Sequence, residues 1–194
     1  MAYYCRLTHP IFLINPTTQN VTLYAVFLND ILNLYRDKKD QFAQPLFEMT
    51  RPYDLSDPFN KVPLNLYNQM CDWLEQELGP ANLRKVGIQI GETVFEALKN
   101  SGSLPANPQP IDLLNGLVYA AANMIQDPEG RGWEIREVKD KSIVMRRTQS
   151  FNSILQLGLL RGLVAKTAAR MVEVKYLRSV AEGAEYDDYL ITWM

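Results

Sequence analysis

Four carboxylates near the end of the chain form the densest group of side chains that could bind a cation. They are Glu182, Glu185, Asp187 and Asp188. Hard cations are held by several carboxylate oxygens at once. Asp187 and Asp188 are adjacent, however, and adjacent residues of a strand point to opposite faces. We therefore interpret the group as a solvated charge run that protects a sheet edge, and we expect no metal site.

Basic side chains are the second candidates, because a local patch of them would bind an anionic ligand. The relevant residues are Arg146, Arg147, Arg161, Lys166 and Arg170. The last three fall in a predicted helix, whose geometry spreads them around more than one face. Ordinary surface charge is therefore the favoured interpretation of the whole group.

Side chains suited to catalysis are scarce. The sequence has one histidine, His9, and two cysteines. His9 precedes Pro10 and is expected to be a surface or capping residue. Cys71 falls in the apolar stripe of a predicted helix, which favours a buried, inert thiol. The sequence contains no phosphate-binding loop, nucleophile elbow, CxxC pair or HExxH motif. We therefore predict that the protein is not an enzyme, with no catalytic residue.

The composition is that of a folded protein without a strongly charged partner. Of the 194 residues, 47% are apolar, which is enough for a substantial core, and the formal net charge is −2. This charge gives no attraction to nucleic acid. The longest apolar runs fall far short of the roughly 20 residues that cross a bilayer. Two cysteines far apart in sequence, with no signal peptide before them, favour a reducing cytoplasm.

The first part of the chain, 1–62, is the less regular and is predicted to be an N-terminal extension. A short strand is expected at 11–16, because the residue before a proline avoids helical angles. With Asn20 as its N-cap, a helix is predicted over 21–39. The four prolines of 41–63 predict an irregular connection.

The remainder, 63–194, is expected to be the main domain. Apolar residues at helical spacing predict three helices, at 64–78, 81–99 and 110–126. Gly87 and Gly91 lie one turn apart on the second helix, and each costs about 1 kcal/mol of helix propensity. Their pairing indicates that another backbone approaches this helix closely.

The last third of the chain changes to the alternation typical of strands. Strands are predicted at 132–147 (two), 171–179 and 186–193, with a helix at 152–170 between the pairs. Small residues form a stripe on this helix, at Gly158, Gly162, Ala165 and Ala169. The order predicts an α+β domain in which an antiparallel ββαββ sheet packs against a layer of about three to four helices.

This order of elements resembles a known superfamily. The segments that carry the resemblance are GLLRGLVAK, which leads towards a strand, and the ending VEVKYLRSVAEGAEYDDYLITW. Together with the three preceding helices they are similar to 4-vinyl reductase-type small-molecule-binding domains, haem-dependent nitric-oxide sensor domains and TRAPP vesicle-tethering subunits. The resemblance covers about 63–194 and implies a ligand-binding or protein-pairing domain.

The chain departs from the chemistry of this superfamily. Haem sensors of this type need a proximal histidine in the helical half and a Tyr-x-Ser-x-Arg signature on the strand before the glycine-rich helix. Here that stretch, 145–149, reads MRRTQ, and the only histidine is His9. Redox or metal-binding members carry cysteines in the last two strands, and this chain has none after Cys71. The sequence therefore predicts no haem, no metal and no other cofactor.

Two functions of different classes remain. The first is a binding or sensory domain that holds a small apolar ligand between the helices and the sheet, lined by Tyr119, Trp133 and Phe151. The second is an interaction module that forms a homodimer through the glycine-striped helices or the N-terminal extension, as vesicle-tethering subunits pair through helical faces. We favour the first, and a homodimer is compatible with both.

Overall fold

The described chain enters the fold through a short strand. The structure, a computed structural model, describes residues 18–194, so the strand predicted at 11–16 and His9 lie outside the described residues. Strand β1, Thr22–Tyr24, precedes helix α1, Val26–Tyr35. The prediction of one helix over 21–39 is therefore wrong at its start. The β-branched and aromatic residues there favour extended backbone.

The segment before the main domain is more ordered than the sequence predicted. Two short helical turns follow α1, and helix α2, Gln44–Thr50, comes next, with Pro45 in its first turn. Proline is tolerated there because the first turn of a helix has no internal partner for its N–H. The prediction of an irregular connection over 41–63 is therefore wrong for Gln44–Thr50, which is helical. Leu46 of α2 is fully buried in the common core.

A three-stranded sheet ties this segment to the rest of the chain. Strand β2, Lys61–Pro63, and strand β3, Ile125–Gln126, both pair antiparallel with β1. Leu23 of β1 and Val62 of β2 belong to the same hydrophobic core as the later helices. The division of the chain at 62 stays a prediction.

Three long helices follow, close to their predicted bounds. They are α3, Leu64–Leu78, α4, Pro80–Asn100, and α5, Pro110–Met124. Gly79 separates α3 from α4 with φ of 80°, a left-handed angle that glycine adopts without a Cβ penalty. The start of α5 is capped by Asp112, whose carboxylate accepts a hydrogen bond from the Gln109 backbone N–H at 2.8 Å.

The last third of the chain forms a four-stranded antiparallel sheet in the order β4-β5-β7-β6. Its elements are β4, Trp133–Lys139, β5, Ser142–Arg147, helix α6, Ser153–Val164, β6, Glu173–Arg178, and β7, Asp187–Thr192. The predicted α+β class, with helices packed on an antiparallel sheet, is confirmed. Helix α6 ends well before the predicted residue 170, and Met171 has φ of 53°.

Helices α4 and α6 pack with their backbones almost in contact. A methyl group added to Gly158 would lie 2.9 Å from the Cα of Gly87 and would overlap the carbonyl oxygen of Arg84. Gly91 and Gly162 meet the opposite backbone in the same way. The close approach predicted from the glycines is confirmed. Because these faces are buried inside the fold, they are not surfaces through which a second copy could pair.

The acidic residues of β7 are not a solvated charge run. Asp187 and Asp188 are only 7% and 4% exposed, and β7 lies between β5 and β6 rather than at an edge. Asp187 accepts hydrogen bonds from the Ser153 hydroxyl at 2.6 Å and the Val180 backbone N–H at 2.9 Å. The sequence interpretation was wrong because each buried carboxylate has partners from elsewhere in the fold.

Residues 18–194 contain neither a metal-binding group of side chains nor a membrane-spanning helix. No group of three or more histidine, cysteine, aspartate or glutamate side chains in this range is placed to hold a metal ion. None of the helices in the same range is both long and apolar enough to cross a membrane.

Candidate functional site

A pocket lies between the helical layer and the start of the four-stranded sheet. Its volume is about 340 Å³, within the range of small-molecule sites, which begins at roughly 300 Å³. Helices α1, α4, α5 and α6 supply most of its walls. The apolar lining includes Phe27, Ile90, Val94, Leu98, Leu117 and Leu159.

The three aromatic residues predicted to bind a ligand all border this pocket. Trp133 is buried at the start of β4, and Phe151 is half-buried in the loop before α6. Tyr119 of α5 lies at the rim, with 71% of its surface exposed. The fold therefore gathers residues from three separate segments around one space. Their role in binding stays a prediction.

Arg147 of β5 links two of these aromatic side chains. Its guanidinium carbon lies 4.2 Å from the centroid of the Phe151 ring and 5.1 Å from a ring centroid of Trp133. Aromatic faces attract cations through their quadrupole. Arg147 is only 3% exposed, and burial lowers the pKa of its guanidinium to about 10. The group therefore stays charged at neutral pH, and it borders a pocket that is otherwise mostly apolar.

The sequence interpretation of Arg147 as surface charge is wrong. Ile143, Met145 and Arg147 share one face of β5, and all three are buried. The period-two alternation that placed Ile143 and Met145 on one face would have placed Arg147 there too. Its neighbour Arg146 points the other way and donates two hydrogen bonds to the Asp188 carboxylate, at 2.8 and 2.9 Å.

Further polar side chains border the pocket, and sequence reasoning missed as site residues three that form no hydrogen bond within residues 18–194. They are Asp30 of α1, Tyr67 of α3 and Gln156 of α6. Tyr67 and Gln156 are buried. Within residues 18–194, no group hydrogen-bonds to the Tyr67 hydroxyl, the Gln156 amide or the Asp30 carboxyl. Asp30 follows Phe27 by three residues, which places both on one side of α1.

Burial changes the ionisation of two of these groups. It raises the pKa of the Asp30 carboxyl from 3.8 to about 6, and it raises the pKa of the Tyr67 hydroxyl well above its ordinary value of 10.0. Removing a group from water disfavours its charged form. At neutral pH the site therefore presents the neutral phenol of Tyr67, the charged guanidinium of Arg147 and the Asp30 carboxyl group, whose pKa is raised.

A second recess has a volume of about 430 Å³ and lies beside the loop that joins α4 to α5. Lys99, Pro105 and Lys166 are among its lining residues. Lys166 is held by Glu92 at 3.2 Å. Although this recess is larger, its lining contains no buried polar side chain that lacks a partner. We therefore take the pocket beside Arg147 as the candidate site.

The described residues do not match the ligand set of haem. They contain no histidine, because His9 lies outside 18–194, and Cys71 is fully buried and does not border the pocket. A tyrosine can hold haem iron, but the raised pKa of Tyr67 disfavours the phenolate that would do so. This part of the chain therefore offers neither a histidine nor a cysteine to a haem iron in the pocket.

Comparison with known proteins gives structural relatives only. No protein-family model and no curated protein matches the sequence. An H-NOX protein from S. oneidensis in the Fe(II)NO ligation state matches with a TM-score of 0.66 and 11% identity, over 89% of this chain and 99% of that one.

Two further H-NOX structures agree with this result. A protein from K. algicida in the unliganded Fe(II) state has a TM-score of 0.61 and 12% identity, over 89% of this chain and 97% of that one. An oxygen-binding H-NOX domain related to soluble guanylate cyclases has a TM-score of 0.59 and 13% identity, over 87% and 91%. Identities this low compare folds alone, and on that basis the chain has the fold of H-NOX domains.

Proposed function

We propose that this chain is a non-enzymatic domain that binds a small apolar ligand in the pocket beside Arg147 and serves a sensory or regulatory role. The observation that carries the proposal is the pocket itself, whose walls are mostly apolar and which is bordered by three polar side chains, Asp30, Tyr67 and Gln156, that have no hydrogen-bond partner within residues 18–194. Sites of this composition are typical of small-molecule recognition, because apolar walls provide affinity and a few polar groups provide orientation.

The structural relatives support a binding role but do not supply its ligand. Their names record nitric oxide bound at ferrous iron and oxygen binding. The described residues of this chain do not fit haem, so we propose a ligand that occupies the same kind of space without iron. A kinship with 4-vinyl reductase-type binding domains, inferred from the order of elements, is part of the same proposal.

The test uses a neutral apolar fluorophore, N-phenyl-1-naphthylamine, whose emission rises in apolar surroundings. We expect saturable binding to the full chain. Ala120→Trp should abolish it, because Ala120 borders the pocket and the indole would fill the space. Ala122→Trp, on the exposed side of the same helix, should bind like the parent protein. Absence of saturable binding, or equal binding by both variants, would contradict the proposal.

Native mass spectrometry of the purified protein gives an independent measurement. A co-purified small molecule that is lost in Ala120→Trp and kept in Ala122→Trp would support the proposal and begin to identify the ligand. The same spectra of the parent protein serve as the mass reference for both variants.

The homodimer stays a separate proposal. The glycine faces of α4 and α6 pack against each other, so a second copy would need another surface. Size-exclusion chromatography with light scattering tests this at high micromolar concentration. A strict monomer under those conditions would exclude the dimer and would leave the binding proposal unaffected.

A further inference from the structure

We infer that the ligand of this pocket carries an anionic group, with a carboxylate as the best-fitting chemistry, and that Arg147 and Tyr67 bind it. The inference rests on the proposed binding function and specifies the class of ligand. It concerns the polar end of the ligand, whereas the apolar walls recognise the remainder.

The first support is the incomplete hydrogen bonding of Arg147. Its Nη2 donates to the backbone oxygen of Gln149 at 3.1 Å, while its Nε is buried without a partner. No carboxylate in residues 18–194 forms an ion pair with this guanidinium. A buried charge left unpaired is costly. An anion in the pocket would pair with this charge.

The second support is the orientation imposed on the guanidinium. The rings of Phe151 and Trp133 both lie within 5.1 Å of its carbon, so aromatic contacts occupy space that water or protein acceptors would otherwise fill. The N–H groups of a guanidinium lie in its plane and form a fork that matches the two oxygens of a carboxylate. Held in this way, Arg147 is pre-organised for a planar anion.

The third support is Tyr67, which is buried, borders the same pocket and has no hydrogen-bond partner within residues 18–194. Its ring packs edge-on against Phe151, with centroids 5.6 Å apart. The same phenylalanine therefore contacts both Tyr67 and Arg147. A neutral phenol donates a hydrogen bond to an anion without adding charge to the site.

The opposite choice, a cationic ligand bound by Asp30, fits the site less well. Asp30 is more exposed than Arg147, and a cation in the pocket would also meet the buried guanidinium.

The test compares three probes of nearly equal shape at pH 7.5: 2-naphthoate, naphthalen-2-ylmethanol and naphthalen-2-ylmethylammonium. Isothermal titration of the full chain should give binding of the carboxylate at least about tenfold tighter than the alcohol, since hydrogen bonds to charged groups are the stronger ones. The ammonium should bind most weakly. Arg147→Met should remove the preference for the carboxylate and retain binding of the alcohol, and Tyr67→Phe should weaken carboxylate binding severalfold.

The outcomes separate the inference from the function beneath it. If the alcohol or the ammonium binds as tightly as the carboxylate, the anionic ligand is excluded while the apolar binding function stands. If none of the three binds at millimolar concentration and the neutral fluorophore also fails to bind, both the anionic-ligand inference and the proposed binding function are excluded. Should Arg147→Met not fold, the comparison of the three probes on the parent protein, with Tyr67→Phe, decides the matter.

Discussion

Arg147 and Asp187 are direct cross-strand partners in β5 and β7, and although both are buried they form no ion pair. Asp187 instead accepts hydrogen bonds from Ser153 and from the Val180 backbone, with the Tyr189 hydroxyl at 3.3 Å. Arg147 turns to the aromatic rings beside the pocket. The two opposite charges thus serve different parts of the fold, and Arg147 borders the candidate pocket.

Asp187→Asn tests the structural side of this arrangement. The amide keeps the volume but loses the charge that strengthens the hydrogen bonds from Ser153 and Val180. We expect the free energy of unfolding to fall by about 2 kcal/mol, measured by urea denaturation. Glu185→Gln makes the same chemical change at an exposed position and should stay within about 0.5 kcal/mol of the parent. Equal values for the two variants would contradict the structural role.

Gly158→Ala tests the contact between α4 and α6. The new methyl group would overlap the Arg84 carbonyl oxygen, and overpacking of this kind costs about 1–3 kcal/mol. This cost should exceed the gain in helix propensity, so the urea midpoint should fall.

Gly116→Ala is the matched control within helix α5. There the nearest atoms to the added methyl group belong to the flexible end of the Leu98 side chain, from 2.9 Å. That substitution should be neutral or stabilise the protein by up to about 1 kcal/mol. A gain in stability from Gly158→Ala would show that the helices are not in close contact.

The raised pKa of Asp30 predicts a specific pH dependence of stability. Between pH 3.8 and about 6 the folded state keeps a proton on Asp30 that the unfolded state has lost. The contribution of this group to stability should therefore fall as the pH rises through that range, and remain low above it.

Asp30→Asn should remove this dependence and raise the free energy of unfolding at pH 7 by about 1–2 kcal/mol, after allowance for partial exposure. Urea denaturation at pH 4 and pH 7 measures the effect. Asp37→Asn, an exposed position just after α1, corrects for the loss of one negative charge. If the two variants show the same pH dependence, the Asp30 carboxyl is not desolvated.

Removal of residues 189–194 should abolish soluble folding. Tyr189 and Ile191 are fully buried, and β7 is the strand that joins β5 to β6, so its loss would leave two unpaired edges in the sheet. Removal of Met194 alone should cost much less, because its side chain is mostly exposed and only its two backbone hydrogen bonds with Arg170 are lost. Expression, solubility and circular dichroism of the two truncations provide the measurement. A stable, monodisperse 1–188 fragment would contradict the prediction.

Local patterns in the sequence determined the elements with long, regular periods. Helices α3, α4 and α5 follow from apolar spacing closed by Gly79, Pro110 and similar breakers. The glycines of α4 and α6 predicted a close backbone contact because a helix retains such costly residues only where packing requires them. The α+β class followed from the order of these elements.

Only the tertiary structure brought the polar side chains of the site together. Strand β1 forms because β2 and β3, distant in sequence, supply its hydrogen bonds, and no local pattern contains that information. The burial of Asp187 depends on partners in α6 and near residue 180. Arg147 and Tyr67 are 80 residues apart in the chain, and they meet at one pocket only in the folded protein. The burial of these polar side chains depends on contacts between distant segments, which local sequence patterns do not contain.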